Sequence, residues 1–260
     1  MAKRPFDLAG AIAGLMIASP ILVVACAGIA LSSRGPILYR CRRVGLGGRL
    51  FTMLKLRTMH VTEAGPRITG AADPRVFGFG ALLRRLKIDE LPQLINVLRG
   101  EMSIIGPRPE DPAFVARHYA PEHRETLKVL PGLASPGSIY SSTHGDRILT
   151  GGDPEGRYVE LLLPLKLALD RVYVRRASFG YDLTIIGRTL RVIVASLAGW
   201  RRFANPPEIT AAWRLLVPAR RHDAATDALL NRASIMRAPL VPQAAPEADA
   251  LAGADVRASA

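Results

Sequence analysis

Two acids stand side by side at Asp89 and Glu90, followed by Leu91, Pro92 and Gln93. Proline is tolerated in the first turn of a helix, so Pro92 places the acidic pair at or just before a helix start. Carboxylates suit that end electrostatically, and the free N–H groups there also attract phosphate. On its own the pair reads as ordinary capping acids. Further on, Gly106-Pro107-Arg108-Pro109 fixes an arginine between two prolines. A preset backbone holding a guanidinium fork suits two-point recognition of phosphate, although alone the segment is a turn. Gly45-Leu46-Gly47-Gly48 and Gly78-Phe79-Gly80 are the nearest approach to a nucleotide loop. Neither completes GxGxxG and GxxxxGK[ST] is absent, so both read as turns. The five histidines have no HExxH or HxH spacing, and the only cysteines are Cys26 and Cys41. A histidine-built metal site, a Cys-rich zinc site and a disulfide framework therefore have no support.

The 260 residues leave room for one domain with an appendage and a sizeable core. With 49% hydrophobic and 22% charged residues, the chain is neither a disordered polyelectrolyte nor a polytopic membrane protein. A formal net charge of +13 calls for an acidic partner: nucleic acid, anionic lipid or a phosphorylated substrate.

The run from Leu8 to Ser33 carries no charge. About 20 apolar residues span a bilayer, so the run is long enough. It is too long for the apolar region of a signal peptide, and Arg34, Arg40, Arg42 and Arg43 follow it. Lys3 and Arg4 precede it, so both flanks read as cytoplasmic. Ser19-Pro20 lies near the middle, where proline removes a helix hydrogen bond and favours a kink. Two half-helices of about a dozen residues, each ~18 Å long, are too short to cross alone. A re-entrant hairpin is favoured over a kinked crossing helix.

Beyond Gly35, Pro36 to Tyr39 and Leu50 to Leu54 read as short strands joined by the turn at 44–48. Residues Glu63 to Pro74 read as a loop, and helical patterning resumes at Phe79–Leu86. It returns with Leu91, Leu94, Ile95 and Leu98, and stops at Arg99-Gly100. The stretch from Leu161 to Trp200 is amphipathic, with Asp182 placed to cap the following residues. Its Arg171, Arg175, Arg176, Arg188 and Arg191 suit helices on an anionic membrane surface, or the solvated face of a small domain. Past Trp200 the chain turns Ala/Pro/Arg-rich, and from about Asp223 onward it lacks aromatics and repeated apolar spacing. The predicted fold is α/β, mainly helical with short strands, with an N-terminal re-entrant helix-break-helix and interfacial amphipathic helices. The expected divisions are an anchor over 1–34, a catalytic domain over 35–204 and a largely disordered tail over 205–260.

Taken together the segments are more specific than any one of them. Lys3-Arg4, Phe6-Asp7 and Ser19-Pro20 come first, then Arg43-Val44-Gly45 and the run from Phe51 to Met59. Asp89-Glu90-Leu91-Pro92-Gln93-Leu94, Asn96-Val97-Leu98 and Gly106-Pro107-Arg108-Pro109 follow in order. Lys128 to Leu133, then Asp170 to Val174 with Ser178 and Asp182, extend the pattern to roughly residues 3–195. Over that length the chain resembles the bacterial sugar transferases known as monotopic polyprenyl-phosphate phosphoglycosyl transferases.

The resemblance implies transfer of a phosphosugar from a UDP-sugar to undecaprenyl phosphate at the cytoplasmic face of the inner membrane, with release of UMP. It implies Mg²⁺ as cofactor and a membrane helix broken at Ser19 and Pro20. It makes Asp89 and Glu90 the catalytic dyad and the metal-holding acids, with Asp89 as nucleophile; adjacency alone does not choose between the two. Arg84 and Arg108 are implied at the phosphates, and Lys55 and Arg57 join them as substrate-binding residues. Anionic lipids are expected partners, nucleic acid is not, and a homodimer is left open. One segment departs from the family pattern. Where relatives commonly read Thr-Gly-Trp-Ala-Gln-Val-Asn-Gly, this chain has Ala134-Ser135-Pro136-Gly137-Ser138-Ile139-Tyr140. The competing reading is a basic membrane-tethered scaffold or nucleic-acid-binding protein. Aromatic residues at 6%, without an RNP, zinc-finger or helix-turn-helix pattern, give it little to rest on.

Overall fold

The computed structural model describes residues 3–61, 73–150 and 153–216. Most of the loop expected over Glu63–Pro74 therefore lies outside the described residues. The fold is mainly helical with short strands, as expected.

Helix α1 (Lys3–Ser32) runs 30 residues as unbroken helix through Ser19-Pro20, where two half-helices were expected. The physical reason is local. Pro20 has no N–H for the carbonyl of Met16, four residues back, and the Ser19 hydroxyl donates to that oxygen instead, at 2.8 Å. Asp7, Ala11, Ala18, Ala25 and Ile29 form the buried stripe of α1. Small residues let the helix approach closely: a Cβ on Gly28 would stand 2.3 Å from the ring of Phe79.

Strands β1 (Leu38–Val44) and β2 (Leu50–Leu56) pair antiparallel, with Leu38 opposite Leu56 and Val44 opposite Leu50. The connecting turn uses Gly47 and Gly48 at φ 63° and 81°, a region open to glycine. Strand β1 extends through Arg40, Arg42 and Arg43, past the apolar residues that had marked it. Helix α2 (Gly78–Arg85) and the short α3 (Gln93–Leu98) flank the acidic pair. Strand β3 (Ser103–Ile105) leads into the Pro-Arg-Pro segment, α4 (Pro112–His118) follows it, and β4 (Gly132–Ala134) lies parallel to β3. That pairing depends on two glycines. A Cβ on Gly132 would lie 2.1 Å from the Gly106 nitrogen, and one on Gly106 would lie 2.4 Å from the Leu130 carbonyl oxygen.

Helix α5 (Pro136–Ile148) begins in the segment that departs from the family pattern. Ser135 caps it, accepting from Ser138 N–H, and Gly137 N–H donates to Asp170 at 3.0 Å. After the short α6 (Pro154–Arg157), α7 (Leu163–Arg176) runs through the largest core cluster. The stretch read as amphipathic over residues 161–200 divides here into two helices of different character. Of the eleven positions from Leu163 to Tyr173, all but Pro164 are buried, because the helix is packed on all sides rather than along one stripe. Within 161–200 it is α8 (Phe179–Leu197) that keeps an exposed apolar surface, with Leu183, Leu190, Val194 and Leu197 open. Its cap is Ser178; Asp182 is buried and bonded elsewhere. Helix α9 (Ile209–Leu216) lies past the expected boundary at 204, yet Ile209 and Ala212 join the core against α7. Glu208, 3% exposed, pairs with Arg188 and Tyr181 and fixes its start. The remainder of the expected tail lies outside the described residues.

Candidate active site

The site forms where α2 ends. Lys87 adopts φ 59°, the only non-glycine residue in the left-handed region among the described residues. That residue turns the chain from α2 into a single tight turn, Ile88–Glu90, and α3 begins three residues later. Pro92 precedes α3 as its cap, so the acids sit just ahead of a helix as expected. Buried positions fall at Asp89, Pro92, Gln93, Asn96 and Val97, which is one face of a helical path. Asn96 fastens that face to β2: its Oδ1 accepts from Leu54 N–H and its Nδ2 donates to the Thr52 carbonyl.

The two acids have opposite surroundings. Arg108 grips Glu90 with both guanidinium branches, at 2.9 and 2.6 Å, and Lys55 approaches Glu90 at 3.4 Å. Burial opposes a charge there, but Arg108 and then Lys55 outweigh it and hold Glu90 well below the usual carboxylate range. Asp89 is 6% exposed, and its Oδ1 is buried without a hydrogen-bond partner. Burial, reinforced by the charge of Glu90, pushes its carboxyl above the ordinary value. Burial likewise lowers the Lys55 ammonium, against the pull of Glu90.

The structure thus brings together Asp89, Glu90, Lys55 and Arg108. Arg84 stands nearby, its Nε donating to Thr58 Oγ1 at 2.7 Å while its charge acts on Asp89. Arg57 is not brought to this group. Its five N–H donors are engaged by the Pro36, Ser33, Gly35 and Met59 carbonyls and the Ser33 hydroxyl. The guanidinium ties the end of α1 to β2 and has no donor left for a phosphate. Ser19 and Pro20 lie on the exposed side of α1, with no bond to the acidic group.

Several residues here went unrecognised in the sequence. Glu110 is bound by Lys166 and by the Tyr158 hydroxyl, which anchors the Pro-Arg-Pro segment to the core around α7. Asp7 accepts from Ile104 N–H at 3.0 Å, and Arg4 donates to the Val97 and Leu98 carbonyls at the end of α3. The first turn of α1 therefore grips β3 and α3, the two elements on either side of the site. Arg4, Asp7 and Asn96 had stood in the family pattern without a role assigned to them, and Glu110 had not stood in it at all. A small, open cleft lies beside Arg108, lined also by Gly45, Glu110, Tyr119, Thr126 and Pro131.

Among the described residues no three His, Cys, Asp or Glu side chains gather as a metal cage. A hard cation at the dyad would meet the unpartnered Asp89 Oδ1, because both oxygens of Glu90 are engaged by cations. One or two carboxylates with phosphate oxygens is the donor set that Mg²⁺ accepts, so the residues fit that ion.

The sequence matches the family described as bacterial sugar transferase over residues 1–196. A UDP-glucose:undecaprenyl-phosphate glucose-1-phosphate transferase of Caulobacter vibrioides is 41% identical over 192 residues, 72% of this chain and 68% of the relative. The undecaprenyl-phosphate glucose phosphotransferase of Komagataeibacter xylinus is 36% identical over 201 residues, 73% of this chain and only 35% of that relative. The exopolysaccharide production protein ExoY of Rhizobium meliloti is 34% identical over 215 residues, covering 75% of this chain and 87% of the relative. By the extent of the match and these identities, the chain belongs to the bacterial sugar transferase family.

Proposed function

We propose that this protein is an enzyme that transfers a sugar phosphate from a UDP-sugar to undecaprenyl phosphate, releasing UMP and initiating exopolysaccharide, capsule or glycoconjugate synthesis. Family membership and the relatives' activities support the reaction class. The observation that carries the mechanism is the contrast between Asp89, with one buried oxygen unpartnered, and Glu90, locked by Arg108 and Lys55.

An Asp89 carboxylate oxygen attacks the phosphorus that bears the sugar. The new oxygen–phosphorus bond forms as the bond to the bridging oxygen breaks, and UMP departs with that electron pair. No proton need be removed from an ionised carboxylate. An oxygen of undecaprenyl phosphate then attacks the same phosphorus and releases Asp89 unchanged. Arg108 faces the donor phosphates, while Glu90 fixes its fork and keeps the local charge near balance. Arg84 and Lys55 supply further positive charge at the phosphates. Asp89, with Glu90 beside it, would hold Mg²⁺, which would supply charge neutralisation at the phosphates.

Attachment to the inner membrane is proposed through α1 as a monotopic anchor with both ends cytoplasmic. Two sets of bonds support it. At one end Lys3 reaches Asp182, Tyr173 and the Ile105 carbonyl, and at the other Ser33 holds Arg57 and His60. A helix that crossed would carry one end away from the domain. Ile12, Met16, Ile17, Ile21, Val23, Val24 and Leu31 point outward and supply the lipid-facing surface. In the finer form of this proposal the bilayer holds the helix re-entrant about Ser19-Pro20.

Incubating the full chain with a UDP-sugar and Mg²⁺, without acceptor, tests the mechanism. The expected result is one equivalent of UMP and a sugar-phosphate mass adduct on the peptide containing Asp89, both missing in Asp89→Asn. UMP that appears only after undecaprenyl phosphate is added would rule out the covalent route.

A further inference from the structure

Gln93 is fully buried, and neither its Oε1 nor its Nε2 has a hydrogen-bond partner. Buried amides are nearly always paired, because each unpaired donor or acceptor keeps its desolvation cost. The two polar neighbours on the same buried face locate the vacancy in partners. Asn96, one turn onward, spends its amide on β2 and on Glu101. Asp89, one turn back, is the acid whose Oδ1 is also unpartnered. Gln93 therefore stands between a side chain that fastens the helix and the carboxylate proposed to react. Packing does not require an amide there, since Leu94, Ile95 and Val97 show that apolar side chains fill this short helix.

We infer that Gln93 is a further catalytic residue, whose Nε2–H donates a hydrogen bond to a non-bridging phosphoryl oxygen during transfer to and from Asp89. The inference rests on the proposed transfer through Asp89. Before the donor binds, no acceptor lies within reach and the amide is unpaired. Once phosphorus bonds to Asp89, its oxygens bring acceptors to the same buried face. A bond made mainly in the reacting state raises kcat more than it lowers KM. A neutral donor suits the place. Arg108 and Lys55 already place positive charge here beside Glu90, and another buried cation would be repelled by both.

The test uses the full-length chain in lipid nanodiscs, with Gln93→Met as first variant. Methionine keeps the length and packing and removes the donor. The expected result is a UMP burst slowed about 100-fold, donor KM within about twofold, and a thermal midpoint unchanged or raised because no unpaired amide remains. A lowered midpoint with the burst rate intact assigns Gln93 a structural role and overturns the inference. Gln93→Glu gives a second readout in near-native shape. Its burst should also slow, and the acid limb of the rate should move to higher pH as a second anion faces Asp89. If Gln93→Met does not fold, a wild-type burst in Gln93→Glu overturns the inference. A wild-type chain that forms no Asp89 adduct overturns the transfer reading and this inference together. A wild-type adduct with an unslowed Gln93→Met overturns the inference alone.

Discussion

Asp89 and Glu90 are adjacent in the chain, yet their surroundings pull their proton affinities apart. Burial raises Asp89, while Arg108 and Lys55 hold Glu90 ionised despite burial. The sign for Asp89 follows directly. An acid raised in the folded state is tolerated when neutral, and its cost to stability develops as pH climbs past the unfolded value of about 3.9. The cost grows until pH passes the raised folded-state value. Asp89→Asn should therefore abolish turnover, by roughly 10³-fold or more, while thermal unfolding near pH 7 is unchanged or occurs at higher temperature. The wild-type acid limb of kcat/KM should lie above the ordinary carboxylate range, because protonated Asp89 cannot attack. A limb at or below about 3.9 would contradict the raised Asp89. Arg108→Lys preserves charge but loses the two-branched grip on Glu90, so activity should fall severely while membrane association persists. Much of this was legible beforehand: the acidic pair, its place before a helix and the proline-flanked arginine all stand where the sequence put them. Arg57 was not, because side-chain type says nothing of which carbonyls a buried guanidinium will meet.

At the scale of elements, the legible features were those with local causes. The turn at 44–48, the start of α3 at Pro92 and its stop at Gly100 follow from proline and glycine chemistry that needs no tertiary partner. In helix α7 Arg175 and Arg176 are exposed, as a wet face implies, whereas Arg171 is buried against Glu125. Composition cannot show that an acid from another element will arrive. The same holds for α9, whose place in the core depends on Glu208 meeting Arg188 and Tyr181. The contact of α1 with α2 yields a prediction of its own. Gly28→Ala places a methyl against the ring of Phe79, where the Cβ would lie 2.3 Å away. Such overpacking typically costs about 1–3 kcal/mol, and α2 carries Arg84 and runs into the dyad. Unfolding in lipid nanodiscs should show the loss, and Phe79→Leu in the Gly28→Ala background should recover part of it. Equal stability of wild type and Gly28→Ala would mean that α1 does not pack this closely on α2.

On the scale of the whole molecule, the proposed attachment to a bilayer rests on α1. Its outward residues are apolar, its inward stripe is small, and both of its ends are bonded to the domain. Lys3 is 2.5 Å from Asp182, whose side chain is 5% exposed, and Tyr173 donates to the same carboxylate at 2.8 Å. That network fastens the start of α1 to α7 and α8. Breaking it by sending residue 3 across the membrane would leave a buried carboxylate without its cation, an arrangement that costs several kcal/mol, roughly 3–5. The far end is held by the five Arg57 bonds to residues 33–36 and 59, beside the Arg40, Arg42 and Arg43 strand. Both anchors tie α1 to the domain, which supports the proposed monotopic arrangement together with the basic residues at both flanks of the apolar run. A chain with Cys26 and Cys41 replaced by serine, carrying one new cysteine either ahead of Met1 or at Arg42, tests this directly. Neither cysteine should react with a membrane-impermeant maleimide in intact spheroplasts, and both should react in inverted vesicles. Labelling of the residue ahead of Met1 from outside, with Arg42→Cys labelled only from inside, would establish a crossing helix and end the monotopic reading.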